Sequence, residues 1–286
     1  MKQKILTRFP IAQDFYTGDC KSQIRDFIAG FKISQKFPKE LIGAIVPHAG
    51  WRYSGQTAAR TLYCLSKRSK PEVCVILGSD HSGVNKHNIL PIGVWDTPLG
   101  VIPIAEKVCE TIIQTLPQLT VVDINAHNRE HSIEVIAPMV RYFFPDIKLV
   151  PIIVKSELSS LELGKKIAII IQNLGISMIF LASSDLTHYG EIYGFIPGGA
   201  GETGFQWMRS NDLRIIKFME SCNGQEVLTE AKKSLSACGS GAVAALLEIV
   251  LNQRKKQGFL VEYTTSHGNV PAAEFTYGVG YAGVVY

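Results

Sequence analysis

Continuous apolar runs alternate with amphipathic stretches along most of this chain, and the alternation predicts its elements. Apolar runs without polar alternation are typical of strands buried on both faces, whereas apolar positions at helical spacing predict helices. The predicted strands are residues 42–47, 73–78, 120–124, 149–154, 178–182, 260–265 and 278–285. The predicted helices are residues 22–31, 54–66, 105–115, 132–144, 161–173, 212–220, 224–234 and 241–253.

This alternation of strands and helices predicts an α/β fold with a central, mainly parallel or mixed sheet and helices on both faces. The last two strands are expected to be antiparallel additions to the sheet. No Pro/Ser-rich linker, charge block or internal repeat marks a boundary, so residues 1–286 are predicted to form a single domain.

Histidines follow the apolar runs at 42–47, 73–78 and 178–182. His48 and His81 come almost directly after the first two runs and have glycines nearby, while Asp185 and His188 follow the third. In open α/β sheets the ligand site lies beyond the carboxyl ends of the strands. His48 and His81 are therefore candidate metal ligands, the alternative being hydrogen bonds to loop carbonyls. Asp185 is predicted to orient His188 for proton transfer, the alternative being a carboxylate that caps a turn.

Three further motifs bear on chemistry. Cys238 precedes an apolar helical run, where the helix dipole favours a thiolate ligand or nucleophile; the alternative is a small buried hydrophobe. The stretch from His127 to His131 matches the H-x-x-E-H pattern of zinc proteases, but the helical pattern starts only at residue 132. A zinc hydrolase is therefore a remote alternative, and Glu130, His131 and Glu134 are expected to form a polar wall of the site. A Gly-rich stretch at 199–204 lacks the preceding strand of a dinucleotide site and is predicted to be a flexible rim or lid.

Composition narrows the classes of function. The net charge of +4 arises from scattered Lys and Arg, without the basic stripe that nucleic-acid binding requires. Six cysteines without regular spacing indicate free thiols and a reducing compartment. The start of the chain lacks a signal-peptide core, and no apolar stretch is long enough to span a bilayer. The expectation is a cytoplasmic protein that binds neither nucleic acid nor membrane.

Taken together, motifs spread over nearly the whole chain resemble the Memo family, also called AmmeMemoRadiSam system protein B. The motifs are Pro47-His48-Ala49-Gly50-Trp51-Arg52-Tyr53-Ser54-Gly55, Gly78-Ser79-Asp80-His81, Thr97-Pro98-Leu99-Gly100, Glu130-His131-Ser132-Ile133-Glu134, Ser183-Ser184-Asp185-Leu186-Thr187-His188, Cys238-Gly239 and Val279-Gly280-Tyr281-Ala282. This family is similar in fold to the LigB-type class III extradiol dioxygenases.

The resemblance implies roles for individual residues. His48, His81 and Cys238 match the metal-binding positions, with Fe(II) as the first expectation and Cu(I) or Zn(II) as alternatives. Asp185 and His188 match positions beside the metal, with His188 as the acid/base group, and His131 is expected to be a catalytic residue beside them. Glu130, Glu134, Tyr53 and Asp80 are expected at the cleft. Asp80 and Ser82 flank His81 where the family has Gly-Pro-Ser-His-His, so the second histidine is missing and Asp80 is expected to tune His81 or repel anions.

The sequence thus predicts a metal-binding, dioxygenase-like oxidoreductase that acts on a small substrate. The alternative function is a non-catalytic scaffold that binds a peptide or protein in the same cleft. Radical-SAM and AMMECR-type proteins are the partners that the resemblance implies.

Overall fold

A mixed sheet of nine strands forms the centre of the fold. A computed structural model describes residues 6–270 and 274–286. The strands are β1 (Thr7–Arg8), β2 (Gly43–Val46), β3 (Val73–Ser79), β4 (His87–Ile89), β5 (Val94–Trp95), β6 (Ile102–Pro103), β7 (Thr120–Val121), β8 (Lys148–Val154), β9 (Met178–Ser183), β10 (His188–Gly190), β11 (Phe259–Thr265) and β12 (Tyr277–Val285). The helices are α1 (Cys20–Ile28), α2 (Trp51–Arg68), α3 (Glu106–Thr115), α4 (Ile124–His127), α5 (Ala137–Phe143), α6 (Ser159–Leu174), α7 (Gly201–Glu220), α8 (Gly224–Ser234), α9 (Ser240–Asn252) and α10 (Ser266–Asn269).

The large sheet has the order β10-β12-β2-β9-β3-β8-β4-β7, with β11 paired to β12. Its core of β2, β9, β3 and β8 is parallel, while β12 runs antiparallel to β2, β10 and β11. Every residue of β2, β3 and β9 is buried, as their continuous apolar sequences predict. The predicted α/β class and the antiparallel final strands are confirmed. A separate small sheet joins β1, β5 and β6.

Helices flank the central strands. Helix α9 packs on β2, β3 and β9, and α6 packs closely against α9. That approach requires Gly164, because a Cβ there would lie 2.3 Å from the carbonyl oxygen of Ala245. Helix α2 covers β2, β11 and β12. None of the helices in the described ranges has the length and apolar character needed to cross a membrane.

Strand order decides where the chemistry lies. Strand β9 lies between β2 and β3, and all three run in the same direction. The segments that follow them therefore meet at one edge of the sheet, although they are far apart in sequence. This edge carries His48, His81 and Asp185.

The prediction of a helix at 132–144 was wrong at its start, because α5 begins at Ala137. The preceding residues form turns that bond to the sheet: Ser132 donates its hydroxyl to the carbonyl of Ser79, at 3.1 Å. Helix α7 begins at Gly201, so most of the stretch 199–204 is helical, and its role as a flexible rim or lid stays a prediction. Residues 1–5, on which the prediction of a missing signal peptide partly rests, lie outside the described residues.

Candidate metal centre

Three histidines converge at the carboxyl edge of the sheet. Potential ligand atoms of His48, His81 and His131, one from each residue, all lie within 4.8 Å of one another. His48 follows β2, His81 follows β3, and His131 precedes the turns that lead to α5. The His131 ring stacks on that of His81 with centroids 4.8 Å apart. Such a cluster has the geometry to hold a metal ion.

The carboxylate of Glu130 orients one side of this cluster. It accepts a hydrogen bond from the backbone N–H of His81 at 2.6 Å and lies 3.0 Å from the Nδ1 atom of His81. The backbone N–H groups of His131 and Ser132 donate to the same carboxylate, each at 2.8 Å. With Nδ1 bonded to Glu130, Nε2 of His81 remains for a ligand.

Charge reinforces this arrangement. Burial raises the pKa of Glu130, but the hydrogen bonds and charge of His81 outweigh burial and bring the pKa to about 2. Burial lowers the pKa of His81, but hydrogen bonds to Cys238 and Glu130 raise it to about 10. Without a metal, the two groups therefore form an ion pair in which the carboxylate is buried and the imidazole is about one third exposed.

A serine orients the second ring. The Nδ1 atom of His48 lies 2.8 Å from the Ser183 hydroxyl, which in turn donates to the carbonyl of Ser132 at 2.7 Å. A hydroxyl that already donates to a carbonyl accepts from Nδ1–H, which leaves Nε2 of His48 unprotonated. Burial lowers the pKa of His48 and favours this neutral form. Ser183, at the end of β9, was given no role in the sequence analysis, although it lies in the same motif as Asp185 and His188.

Cys238 reaches the cluster from the start of α9. Its sulfur lies 3.4 Å from Nε2 of His48 and accepts from the backbone N–H of Asp185 at 3.3 Å. Gly239 allows this approach, because a Cβ there would lie 2.4 Å from the carbonyl oxygen of Ser183. Burial raises the pKa of the Cys238 thiol, but His48 and His81 outweigh burial and bring the pKa to about 6. Of the three residues predicted as ligands, His48 and His81 belong to the cluster; its third member is His131, and Cys238 contacts the cluster through His48.

Asp185 and His188 are neighbours but do not bond in the predicted manner. The Asp185 carboxylate accepts from the backbone N–H of His48 at 2.8 Å and of Ala49 at 3.3 Å. The Nδ1 atom of His188 lies 3.1 Å from the carbonyl oxygen of Leu186. The carbonyl therefore holds the ring of His188, and Asp185 acts on it through charge alone. Burial raises the pKa of Asp185.

A cleft of about 450 Å³ opens above the histidines. His48, His81, His131, Asp185 and His188 line it together with a group of aromatic side chains, which are Phe15, Tyr53, Tyr193, Tyr277 and Tyr281. The predicted place of Tyr53 at the cleft agrees with this lining. Its volume is that of a site for a small organic molecule.

Three residues singled out from the sequence lie elsewhere. Glu134 is buried in a bond network with Arg8 and the N-terminal segment, and the Asp80 carboxylate bonds the backbone of residues 82–84. Neither side chain is among the described residues that line the cleft, and Glu130, which was also predicted to lie there, is not among them either. His127 is buried against Trp95, so it does not pair with His131 as a zinc-protease motif requires.

Comparison with known proteins identifies the family of this chain over nearly its whole length. The sequence profile of the family described as "Memo-like protein" matches residues 11–285. The chain belongs to the Memo family. A MEMO1 family protein of Pyrococcus furiosus is 31% identical over 292 residues, covering 98% of this chain and 99% of that protein. One of Pyrococcus horikoshii is 33% identical, again over 98% of this chain and 99% of the relative.

A solved structure extends the likeness in fold. The crystal structure of an uncharacterized protein from Escherichia coli K12 aligns with this Memo-family chain at a TM-score of 0.54 and 14% identity. The alignment covers 86% of this chain and 99% of that protein, and at this identity it speaks for the fold alone.

The donor set fits a transition metal. Imidazole nitrogen suits iron, copper and zinc, and a thiolate adds preference for Cu(I), Zn(II) and iron. The rings of His48 and His81 are both held through Nδ1, by Ser183 and Glu130, as metal-binding imidazoles usually are. The residues present therefore match a metal of this group.

Proposed function

We propose that this Memo-family protein is a metal-dependent oxidoreductase that acts on a small molecule in the cleft. The observation that supports the proposal is the pair of histidines, His48 and His81, held through Nδ1 beside a low-pKa thiol. His48, His81 and His131 would hold the metal, with Cys238 as a further donor. Fe(II) is the proposed ion, and Cu(I) or Zn(II) are alternatives; bound iron or copper would supply electron transfer and O₂ activation.

The residues around the cluster would transfer protons, position His48 and exclude water. The carbonyl of Leu186 accepts from Nδ1–H of His188, so Nε2 of His188 is the atom that takes up a substrate proton. Asp185 fixes the backbone that carries His48 and interacts with His188 through charge. The aromatic side chains of the cleft exclude water from the substrate.

Metal analysis of protein purified without oxygen tests the first part of the proposal. We expect about one metal ion per chain and loss of the ion in the double variant His48→Ala/His81→Ala. His267→Ala is the matched control, because His267 lines the same cleft outside the cluster. Unchanged metal content in a folded double variant would contradict the proposal.

Oxygen uptake tests the second part. Metal-loaded protein is expected to consume O₂ with a phenolic substrate, and His188→Gln is expected to slow the consumption about 10²-fold or more while the metal content stays the same.

Metal binding without any O₂ uptake would favour the alternative function, a scaffold for a peptide or protein. Exposed aromatic side chains at the rim, such as Tyr193 and Tyr277, favour that alternative. Radical-SAM and AMMECR-type proteins are the proposed partners, and co-purification of the untagged proteins tests them.

A further inference from the structure

The charge of the cleft differs from that of the whole protein. The chain carries 29 Lys and Arg against 25 Asp and Glu. None of the described residues that line the cleft is a lysine or an arginine, whereas Asp185 and Glu274 both line it. An anionic ligand such as a carboxylate or phosphate would therefore find no lysine or arginine among these residues to pair with.

The two acidic groups lie at different depths. Asp185 is buried beside His48, whose side chain is almost inaccessible. Glu274 is exposed, as are its neighbours Thr276 and Tyr277 on the way into β12. The cleft thus has a floor of imidazoles and an outer rim that carries a carboxylate.

Tyrosines line the cleft at different depths. Tyr53, Tyr193 and Tyr281 all line it; Tyr281 is buried, whereas Tyr53 and Tyr193 are partly exposed. Burial raises the pKa of Tyr193 and of Tyr281, which keeps both phenols neutral. Neutral aromatic rings pack against an apolar ring and attract a cation to their faces.

We infer that the cleft binds a small aromatic amine, with its ring among the tyrosines, its ammonium group at the Glu274 carboxylate and its other end toward the histidines. The volume of about 450 Å³ accommodates a molecule of this size. The carboxylate at the rim attracts the ammonium group and repels an acidic group at the same place. This inference rests on the proposed function for the location of the site, but it needs no turnover.

Three phenols that differ in the charge of one end test the inference. Tyramine is a cation, 4-ethylphenol is neutral and 4-hydroxyphenylacetate is an anion. Calorimetric titration of the metal-loaded protein is expected to show tyramine binding about five- to tenfold more tightly than 4-ethylphenol, with the anion weakest. Glu274→Gln is expected to reduce the affinity for tyramine to that for 4-ethylphenol. Glu110→Gln, an exposed change on α3, is the control and is expected to leave all three affinities unchanged.

Several outcomes would overturn the inference. These are equal or tighter binding of the neutral or anionic phenol, a preference for tyramine that survives in Glu274→Gln, and no binding of any of the three. The proposed oxidoreductase fails differently, by retention of metal in His48→Ala/His81→Ala or by lack of O₂ uptake. The two results are independent, because the titration is carried out without oxygen and therefore measures binding without reaction.

Discussion

Glu130 and Glu134 lie four residues apart, and each is about 1% exposed, yet their carboxylates serve different networks. Glu134 pairs with Arg8 at 2.6 Å and accepts from two backbone N–H groups and the Tyr16 hydroxyl, so both oxygens are used within the fold. Glu130 bonds to His81 and to the backbone around His131, and those imidazoles keep ring nitrogens for a shared ligand. The first network ties down the N-terminal segment, whereas the second holds ligand atoms in place.

Breaking the Glu134 network is expected to have the largest effect on stability. Glu134→Gln leaves the guanidinium of Arg8 buried without its charged partner, and such a loss typically costs 3–5 kcal/mol, so we expect a loss of about that size. Urea unfolding measures it. Glu162→Gln, which breaks the exposed pair with Lys166, is the control and is expected to cost less than about 0.5 kcal/mol. Metal content per folded Glu134→Gln chain should stay unchanged; a loss of metal would show that the two networks are not separate.

Asp212 extends the comparison of buried carboxylates, because it is buried with few hydrogen-bond partners. It accepts from the Thr187 backbone at 3.0 Å and the Tyr263 hydroxyl at 2.8 Å, but no cation in the described part of the chain bonds to it, and burial raises its pKa to about 7. The native state therefore binds a proton that the unfolded chain releases near pH 4. Stability is expected to fall as pH rises from 4 to 7, by up to about 4 kcal/mol from this group.

Asp212→Asn is expected to remove that part of the pH dependence. The free energy of unfolding, measured by urea at pH 5 and pH 8 without metal, should then differ less between the two values than in the parent protein. His188, which interacts with Asp212 through charge, is kept in both proteins. Parallel pH profiles would show that Asp212 is ionised in the native state at both values.

The site residues at the edge of the sheet could be predicted from the sequence, whereas the hydrogen bonds that hold them in place could not. Buried strands such as β3 can be recognised by their continuous apolar residues, and the histidine that follows each strand is visible in the sequence. The strand order that brings β2, β9 and β3 together was inferred only as a general rule of the fold. Site residues predicted at the strand ends were therefore found close together.

The residues around position 130 show why the rest was missed. The apolar spacing from residue 133 onward is helical, but Glu130 and Ser132 bond to the segment at the end of β3, and residues 132–136 form turns there. Tertiary hydrogen bonds of this kind leave no periodic signal. The same holds for Arg8, whose guanidinium bonds to the carbonyls of His127 and Glu130, more than a hundred residues away.

Changing Glu130 is expected to affect metal binding more than folding. Glu130→Gln keeps the shape but weakens the bond that fixes Nδ1 of His81, and loss of such a partner usually lowers metal affinity about 10- to 100-fold. Competition with a chelator measures the affinity, and Glu134→Gln is the matched control. Equal affinities in the two variants would mean that Glu130 does not position the ligand.

The smallest expected effect concerns the ring of Phe15, which connects the N-terminal segment to the cluster. Phe15 lies edge-on to His131 with centroids 5.2 Å apart and lines the cleft. Phe15→Leu removes that edge contact, which is typically worth about 0.5–1.5 kcal/mol. Glu134 still holds the backbone of Ile11 and Ala12, so the segment should stay in place.

We therefore expect Phe15→Leu to lower metal affinity at most several-fold and stability by about 1 kcal/mol. The control is Phe9→Leu, at an exposed ring in the same segment, which should change neither quantity. Chelator competition and urea unfolding on the same preparations give both numbers. A drop in metal affinity as large as that of Glu130→Gln would place Phe15 among the residues that hold the cluster, because packing alone would then restrain His131 as strongly as a carboxylate restrains His81.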